Sequence, residues 1–258
     1  MTTFVLLRGL AREARHWGEV GALLQRRLAG GEAVIALDLP GNGLRQGETS
    51  PIRVHGLVAA CRAELCRRGV EPPLVLVAMS LGAMVALGWC EEAPQELAGC
   101  VLVNTSLRGI SPFWQRLRPH NWLPLLRLLA CGSSPLRRER LVLRLTSSEP
   151  HRHAAVAQAW AGLADSHPVR RGNALRQLGA ALCFTARGPT GVPTLLLASA
   201  RDRLVDPRCS QELARRWRLP IAIHPGAGHD LPLDDPQWFV TAVAGWWSAL
   251  PVRHETAT

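Results

Sequence analysis

The stretch LVLVAMSLGAMVAL, residues 74–87, constrains this fold more than any other part of the chain. Leu74 to Ala78 is an unbroken apolar run, the pattern of a parallel strand covered on both faces. After Ser80 the chain continues as Leu81, Ala83, Met84, Val85 and Leu87, an apolar helix. Strand and helix pass too close at such a junction for large side chains, and Ala78 and Gly82 supply the small ones on either side of the serine. A small-x-Ser-x-Gly turn of this kind strains the backbone at its apex and lifts the Ser80 Oγ clear of the sheet.

Comparable short apolar runs recur at 4–7, 33–37, 100–103, 194–198 and 220–224. Helical patterns separate them, among them the amphipathic stretch Ala11 to Leu28 and another from Val54 to Cys66. Such alternation predicts an α/β architecture with a mostly parallel central sheet flanked by helices. The alternation lapses after Val103, where residues 108–188 show helical segments near 121–130, 135–146, 150–164 and 170–184 but no strand. The chain is therefore expected to divide into a core, 1–107 and 189–258, and an all-helical cap inserted at 108–188.

Composition narrows the function classes. At 258 residues and 47% hydrophobic, the chain can bury a sizeable core. No basic-then-apolar segment opens it and no run of about 18 uncharged apolar residues occurs, so a soluble, cytoplasmic protein with no membrane partner is expected. Seven cysteines include no C-x-x-C pair, which argues against a zinc site and structural disulfides. The formal charge of +10 is carried by arginine alone, for the chain has no lysine. Because no run of like charge or base-stacking motif accompanies these arginines, which are spread along the chain as a compositional habit, nucleic acid is not an expected partner.

Four loops carry a resemblance to the α/β-hydrolase superfamily. Leu6-Leu7-Arg8-Gly9-Leu10 stands where that family usually has a His-Gly oxyanion loop, and Asp38-Leu39-Pro40-Gly41-Asn42-Gly43 matches its Asp-x-Pro-Gly-x-Gly loop. The Ser80 turn looks like its nucleophile elbow. Ala198 to Val205, followed by Gly226-Ala227-Gly228-His229-Asp230, resembles its acid and histidine loops, in the family's order Ser, Asp, His. The resemblance implies a catalytic triad of Ser80, His229 and Asp202. A serine hydroxyl is a weak nucleophile near neutral pH, so it needs a base, and the base needs an acid to fix its tautomer. The backbone N–H groups of Leu10 and Leu81 are expected to form the oxyanion hole, with Gly9 flexible enough to aim the first.

Arg8 and Asn42 replace histidines common in the family, which bears on substrate preference rather than on catalysis. Asp206 also follows the strand at 194–198, but Pro207 and a helical pattern come next, so it is expected to cap that helix. His224, and the H-x-H pair His151 and His153, read as structural or solvated, and Asp38 as a loop brace. The leading expectation is a serine carboxylic-ester hydrolase for a small or medium acyl substrate, with neither metal nor cofactor. Arg8, Trp114, Trp122, Leu125 and Trp160 are the candidate pocket residues. A second reading is an esterase or thioesterase that takes acyl groups from an acidic carrier protein or coenzyme A, docked at Arg137, Arg138, Arg140, Arg170 and Arg171. A third is a catalytically silent binding protein of the same fold, against which the complete triad argues.

Overall fold

A computed structural model describes residues 1–28, 30–130 and 134–251. From the N-terminus run β1 (Thr3–Leu7), α1 (Val20–Arg27), β2 (Ala33–Leu37), α2 (Val54–Arg67), β3 (Leu74–Met79), α3 (Leu81–Glu92) and β4 (Leu97–Val103). Helices α4 (Phe113–Arg116), α5 (Trp122–Ala130), α6 (Pro135–Thr146), α7 (Ala154–Ser166) and α8 (Arg171–Cys183) follow. The chain then adds β5 (Thr194–Ser199), α9 (Arg208–Trp217), β6 (Ile221–His224), α10 (Leu231–Asp234) and α11 (Pro236–Ser248).

Among the described residues the strands form one sheet in the order β2-β1-β3-β4-β5-β6, and each neighbouring pair is parallel. Alternate residues of β1 show why these strands read as continuous apolar runs. Phe4 and Leu6 point to one face, where they meet Val20 and Leu24 of α1 and Phe239, Val240 and Val243 of α11. Val5 and Leu7 point to the other, against Leu57, Val58 and Cys61 of α2 and Val85 of α3. With helices on both faces, neither side of the strand needs polar residues. Each such side chain stabilises the fold by roughly 1.5–3 kcal/mol on burial.

The stretch Ala11 to Leu28 is not one helix. A 3-10 turn over Ala14–Trp17 ends at Gly18, whose φ of 54° breaks the helix before α1 begins. Trp17, Val20 and Leu24 nevertheless share one buried face, which is what the periodicity recorded. Between β4 and β5 the described residues hold helices only. The short α4 was not foreseen; α6 packs against α7, and α8 against α3. Leu143, Ala157 and Trp160 make a small core of their own there.

Asp235 accepts a hydrogen bond from the Trp238 N–H at 2.9 Å and caps α11, with Pro236 in the first turn. No helix among the described residues is long and apolar enough to cross a membrane. Cys61, Cys66, Cys90, Cys100, Cys183 and Cys209 are free thiols, while Cys131 lies outside the described residues.

Candidate active site

Strand β1 pairs with β2 on one side and with β3 on the other, so the connections leaving it diverge and open a crevice at its carboxyl end. Two loops meet there: Arg8-Gly9-Leu10 after β1, and Ser80 after β3. Ser80 has φ 54° and ψ −116°, a strained conformation for a residue with a Cβ. Its N–H donates to the Val103 carbonyl at 2.9 Å, and its carbonyl accepts from the Thr105 hydroxyl at 3.1 Å. These bonds hold the apex in place. A Cβ on Gly82 would lie 2.5 Å from the Leu7 carbonyl oxygen, so only glycine lets α3 leave so close to β1.

Gly9 serves space rather than flexibility. Its φ is not in the left-handed region, but a Cβ there would sit 3.1 Å from Ser80 Cβ and 3.6 Å from Ser80 Oγ, over the serine's open face. Leu10 and Leu81 line the same cavity as Ser80. Neither backbone N–H has a hydrogen-bond partner among the described residues.

The loops after β5 and β6 bring Asp202 and His229 together. His229 Nδ1 donates to Asp202 Oδ2 at 2.7 Å, and Asp202 Oδ1 accepts from the N–H groups of Leu204 and Val205 at 2.8 and 2.9 Å. Both side chains are buried, at 4% and 2% exposed, so this pairing is shielded from competing water. With Nδ1 carrying the proton, Nε2 is left as an acceptor. His229 borders the cavity that Ser80 borders.

Asp206 faces elsewhere. It binds Arg208 at 2.8 Å and Arg118 at 3.1 Å and accepts from the Arg208 N–H at 3.0 Å, opening α9. Pro207 falls at the helix cap, one position earlier than the sequence reading put it. The hydrogen bond from Arg208, against a smaller burial penalty, lowers the Asp206 carboxyl to about 2.

Arg8 sits on the cavity wall but is not free to meet a substrate. It is 2% exposed, and its guanidinium donates to both carboxylate oxygens of Asp230 at 3.0 and 2.6 Å while lying 5.1 Å from the Trp17 ring centroid. Asp230 follows His229 directly, so this pair ties the histidine loop to the end of β1. Arg8 thus borders the cavity, as expected of a pocket candidate, with its guanidinium occupied by Asp230. Arg8→Met should cost about 3–5 kcal/mol in denaturant unfolding, because it strands a buried carboxylate. Adding Asp230→Leu should restore most of that loss.

The cavity encloses about 710 Å³. Trp122 and Leu125 line it, Trp122 stacked with Phe113 at 5.9 Å between ring centroids. Trp114, 52% exposed, does not line it, whereas its neighbour Phe113, itself 60% exposed, borders the cavity mouth. Trp160 is also not in the wall. It is 5% exposed, packs with Leu143 and Ala157, and meets His16 edge-on at 4.8 Å.

The remaining histidines and Asp38 have structural partners. His224 Nδ1 accepts from the N–H groups of Gly226 and Ala227, and Nε2 faces Asp235 at 3.1 Å. His153 lies 3.4 Å from Asp234, and no cluster among the described residues could hold a metal ion. Asp38 accepts from the Ala14 and Leu44 N–H groups at 2.6 and 3.0 Å, bracing two loops; burial raises its pKa.

The sequence reading missed Asp230 and Asn104. Asn104, with φ 45° at the end of β4, donates to the His229 carbonyl at 2.7 Å and to Ser199 Oγ at 2.9 Å. Its partners are 95 and 125 residues away, so no local pattern marks it.

The family model for the alpha/beta hydrolase family matches residues 4–242. The chain belongs to the alpha/beta hydrolase family. Within it, the chain is 31% identical over 265 residues to a pimeloyl-[acyl-carrier protein] methyl ester esterase of Xanthomonas campestris pv. campestris (strain B100), covering 96% of this chain and 95% of that one. It is 29% identical to the esterase of the same name from Stenotrophomonas maltophilia (strain K279a), over 86% of this chain and 81% of that one. Among solved hydrolases, an esterase, RhEst1, from Rhodococcus sp. ECU1013 superposes with a TM-score of 0.75 at 23% identity, covering 97% of this chain and 91% of that one. A meta-cleavage product hydrolase from Pseudomonas fluorescens IP01 gives 0.75 at 14% identity, with 96% and 91% covered. At these identities the structural likeness concerns the fold alone.

Proposed function

We propose that this chain is a serine ester hydrolase that cleaves esters of acyl groups presented by an acidic carrier protein. Ser80 attacks the ester carbonyl while His229 Nε2 takes its proton. Asp202 holds the imidazole in the Nδ1–H tautomer and stabilises the imidazolium that forms. The N–H groups of Leu10 and Leu81 receive the oxyanion. When the tetrahedral intermediate collapses, His229 returns the proton to the leaving alcohol, and water attacks the acyl-enzyme through the same base. The 2.7 Å His229 to Asp202 bond beside the strained Ser80 carries this reading. Residues 108–188 act as the cap over the acyl cavity, with the remainder as the catalytic core.

The distribution of charge supports the carrier. Residues 108–188 contain 13 arginines and 3 acids, against 17 and 17 in the rest of the chain, so the formal +10 resides wholly in this segment. The sequence reading took the arginines as a general habit; it is the scarcity of acids that singles out the cap. Glu139 is taken by Arg12 of the core and Glu149 by Arg152. Arg137, Arg140, Arg170 and Arg171 are exposed, and Arg138 and Arg171 reach the cavity lining. Apolar walls with arginines beside them suit an acyl chain delivered from an anionic surface. The relatives named above act on an acyl group of this kind by their names.

Because the Debye length shortens from about 10 Å at 0.1 M salt to about 3 Å at 1 M, docking of an acidic carrier is screened by salt. The kcat/KM for pimeloyl methyl ester on acyl carrier protein should fall roughly tenfold or more over that range, and that for a p-nitrophenyl ester should stay nearly constant. Arg138→Glu with Arg171→Glu should flatten the first curve. Parallel salt responses would favour a free small ester as the substrate.

A further inference from the structure

The loop that bears the Leu10 amide is held from the cap side by one buried side chain. Gln177, in α8, is 0% exposed, and its Oε1 accepts the Ala11 N–H at 2.8 Å. Its Nε2 donates to Asn42 Oδ1 at 2.9 Å and to the Pro40 carbonyl at 3.3 Å. Asn42, also 0% exposed, returns to the loop by donating Nδ2 to the Arg12 carbonyl at 2.8 Å. The Arg12 N–H closes the turn on the Gly9 carbonyl at 3.2 Å. The Leu10 N–H therefore sits inside a turn whose next amide, at Ala11, is pinned by Gln177 and whose last residue, Arg12, is pinned at its carbonyl by Asn42.

We infer that Gln177 is a positioning residue for the oxyanion hole, fixing the direction of the Leu10 N–H by gripping the adjoining peptide at Ala11; this rests on the ester-hydrolase reading above. Ala11 has φ 53°, a left-handed conformation that a residue with a Cβ rarely adopts. Such a conformation persists only where its surroundings over-determine it, and the Gln177 bond is one of the constraints that do so. A second tie joins the same loop to α6, from Arg12 to Glu139 at 2.6 Å. The aim of a catalytic donor in the core thus depends on helices of the cap. A side chain buried in a helix face with every polar atom engaged is otherwise an expensive way to pack α8 onto the core, since an apolar residue of the same length would serve.

Gln177→Met keeps the length of the side chain and removes its grip on Ala11. On a p-nitrophenyl ester, kcat should fall roughly 10- to 100-fold, less than the 10²–10³ typical when an oxyanion donor is lost outright. KM should stay within about threefold, because the donor acts on the transition state. Affinity for a trifluoromethyl ketone of the same acyl group, whose hemiketal oxygen occupies the hole, should drop in parallel with kcat/KM. A merely structural role would lower the unfolding midpoint and leave that affinity unmoved. Unchanged kcat in folded Gln177→Met, or a rise in KM alone, would overturn the inference. Should that variant not fold, Asn42→Ala frees the Arg12 carbonyl from the core side and should show the same coupled loss of kcat and ketone affinity; its absence would overturn the inference equally. The underlying reading fails separately, if Ser80→Ala remains active.

Discussion

Ser80→Ala should fold and lose turnover by roughly 10⁶-fold, the scale on which removal of a triad serine is felt. A fluorophosphonate should add one label to the unaltered protein, at Ser80, and none to the variant at that position. The expectation follows from placement. Ser80 stands at the switch point of a six-stranded parallel sheet, at φ 54°, with Gly9 packed against its Cβ and Gly82 letting α3 leave close to β1. The alanine variant keeps the Cβ and hence the backbone strain, so its stability should lie within about 0.5 kcal/mol of the parent. Ser80→Gly should be equally inactive but more stable than Ser80→Ala by about 1 kcal/mol, since glycine occupies that conformation without strain. Labelling at another serine, or a fully active alanine variant, would remove Ser80 from the reaction.

The strands were legible because a parallel sheet with helices on both faces demands continuous apolar runs, and β2 at Ala33–Leu37 lies where the pattern put it. The elbow was legible because backbone crowding restricts residue type at Ala78 and Gly82. Periodicity served less well for the pocket. It marked Trp160 as lying on an apolar face of α7 but could not say that His16 and Leu143, rather than the cavity, lie across from it. Arg8 was visible as a departure from the family pattern, yet its partner Asp230 is 222 residues away, and nothing local to either residue announces the pair. Gln177 is a similar case. Asn173, Gln177 and Ala180 form the buried face of α8, a polar and small pattern that reads as solvent-facing until the Asn42 loop is seen against it.

Asp202→Asn should leave the fold nearly intact and cut turnover by about 10⁴, whereas Asp206→Asn should leave turnover near the parent value. The two carboxylates are four positions apart and equally buried, at 2% and 5% exposed, so burial does not separate them. Their partners do. Asp202 gives one oxygen to the Leu204 and Val205 amides and the other to His229 Nδ1. An asparagine there can keep the amide contacts with its oxygen, but then presents an NH₂ to the ring. Nδ1 must accept rather than donate, the proton moves to Nε2, and His229 can no longer take the Ser80 proton. Asp206 touches no part of this chain of groups. Its oxygens serve the Arg208 N–H and the guanidinium groups of Arg208 and Arg118, at the entrance to α9. An asparagine oxygen there can still accept the Arg208 N–H. The loss in Asp206→Asn should therefore appear in stability, through the ion pairs to Arg118 and Arg208. Both arginines are partly or largely exposed, at 33% and 69%, which limits the loss to about 1 kcal/mol. Steady-state kinetics on one p-nitrophenyl ester, with urea unfolding of both variants, resolves the assignment. Reversed phenotypes would move the acid to Asp206 and require His229 to meet the far end of the β5–α9 loop, four residues beyond the carboxylate it meets here.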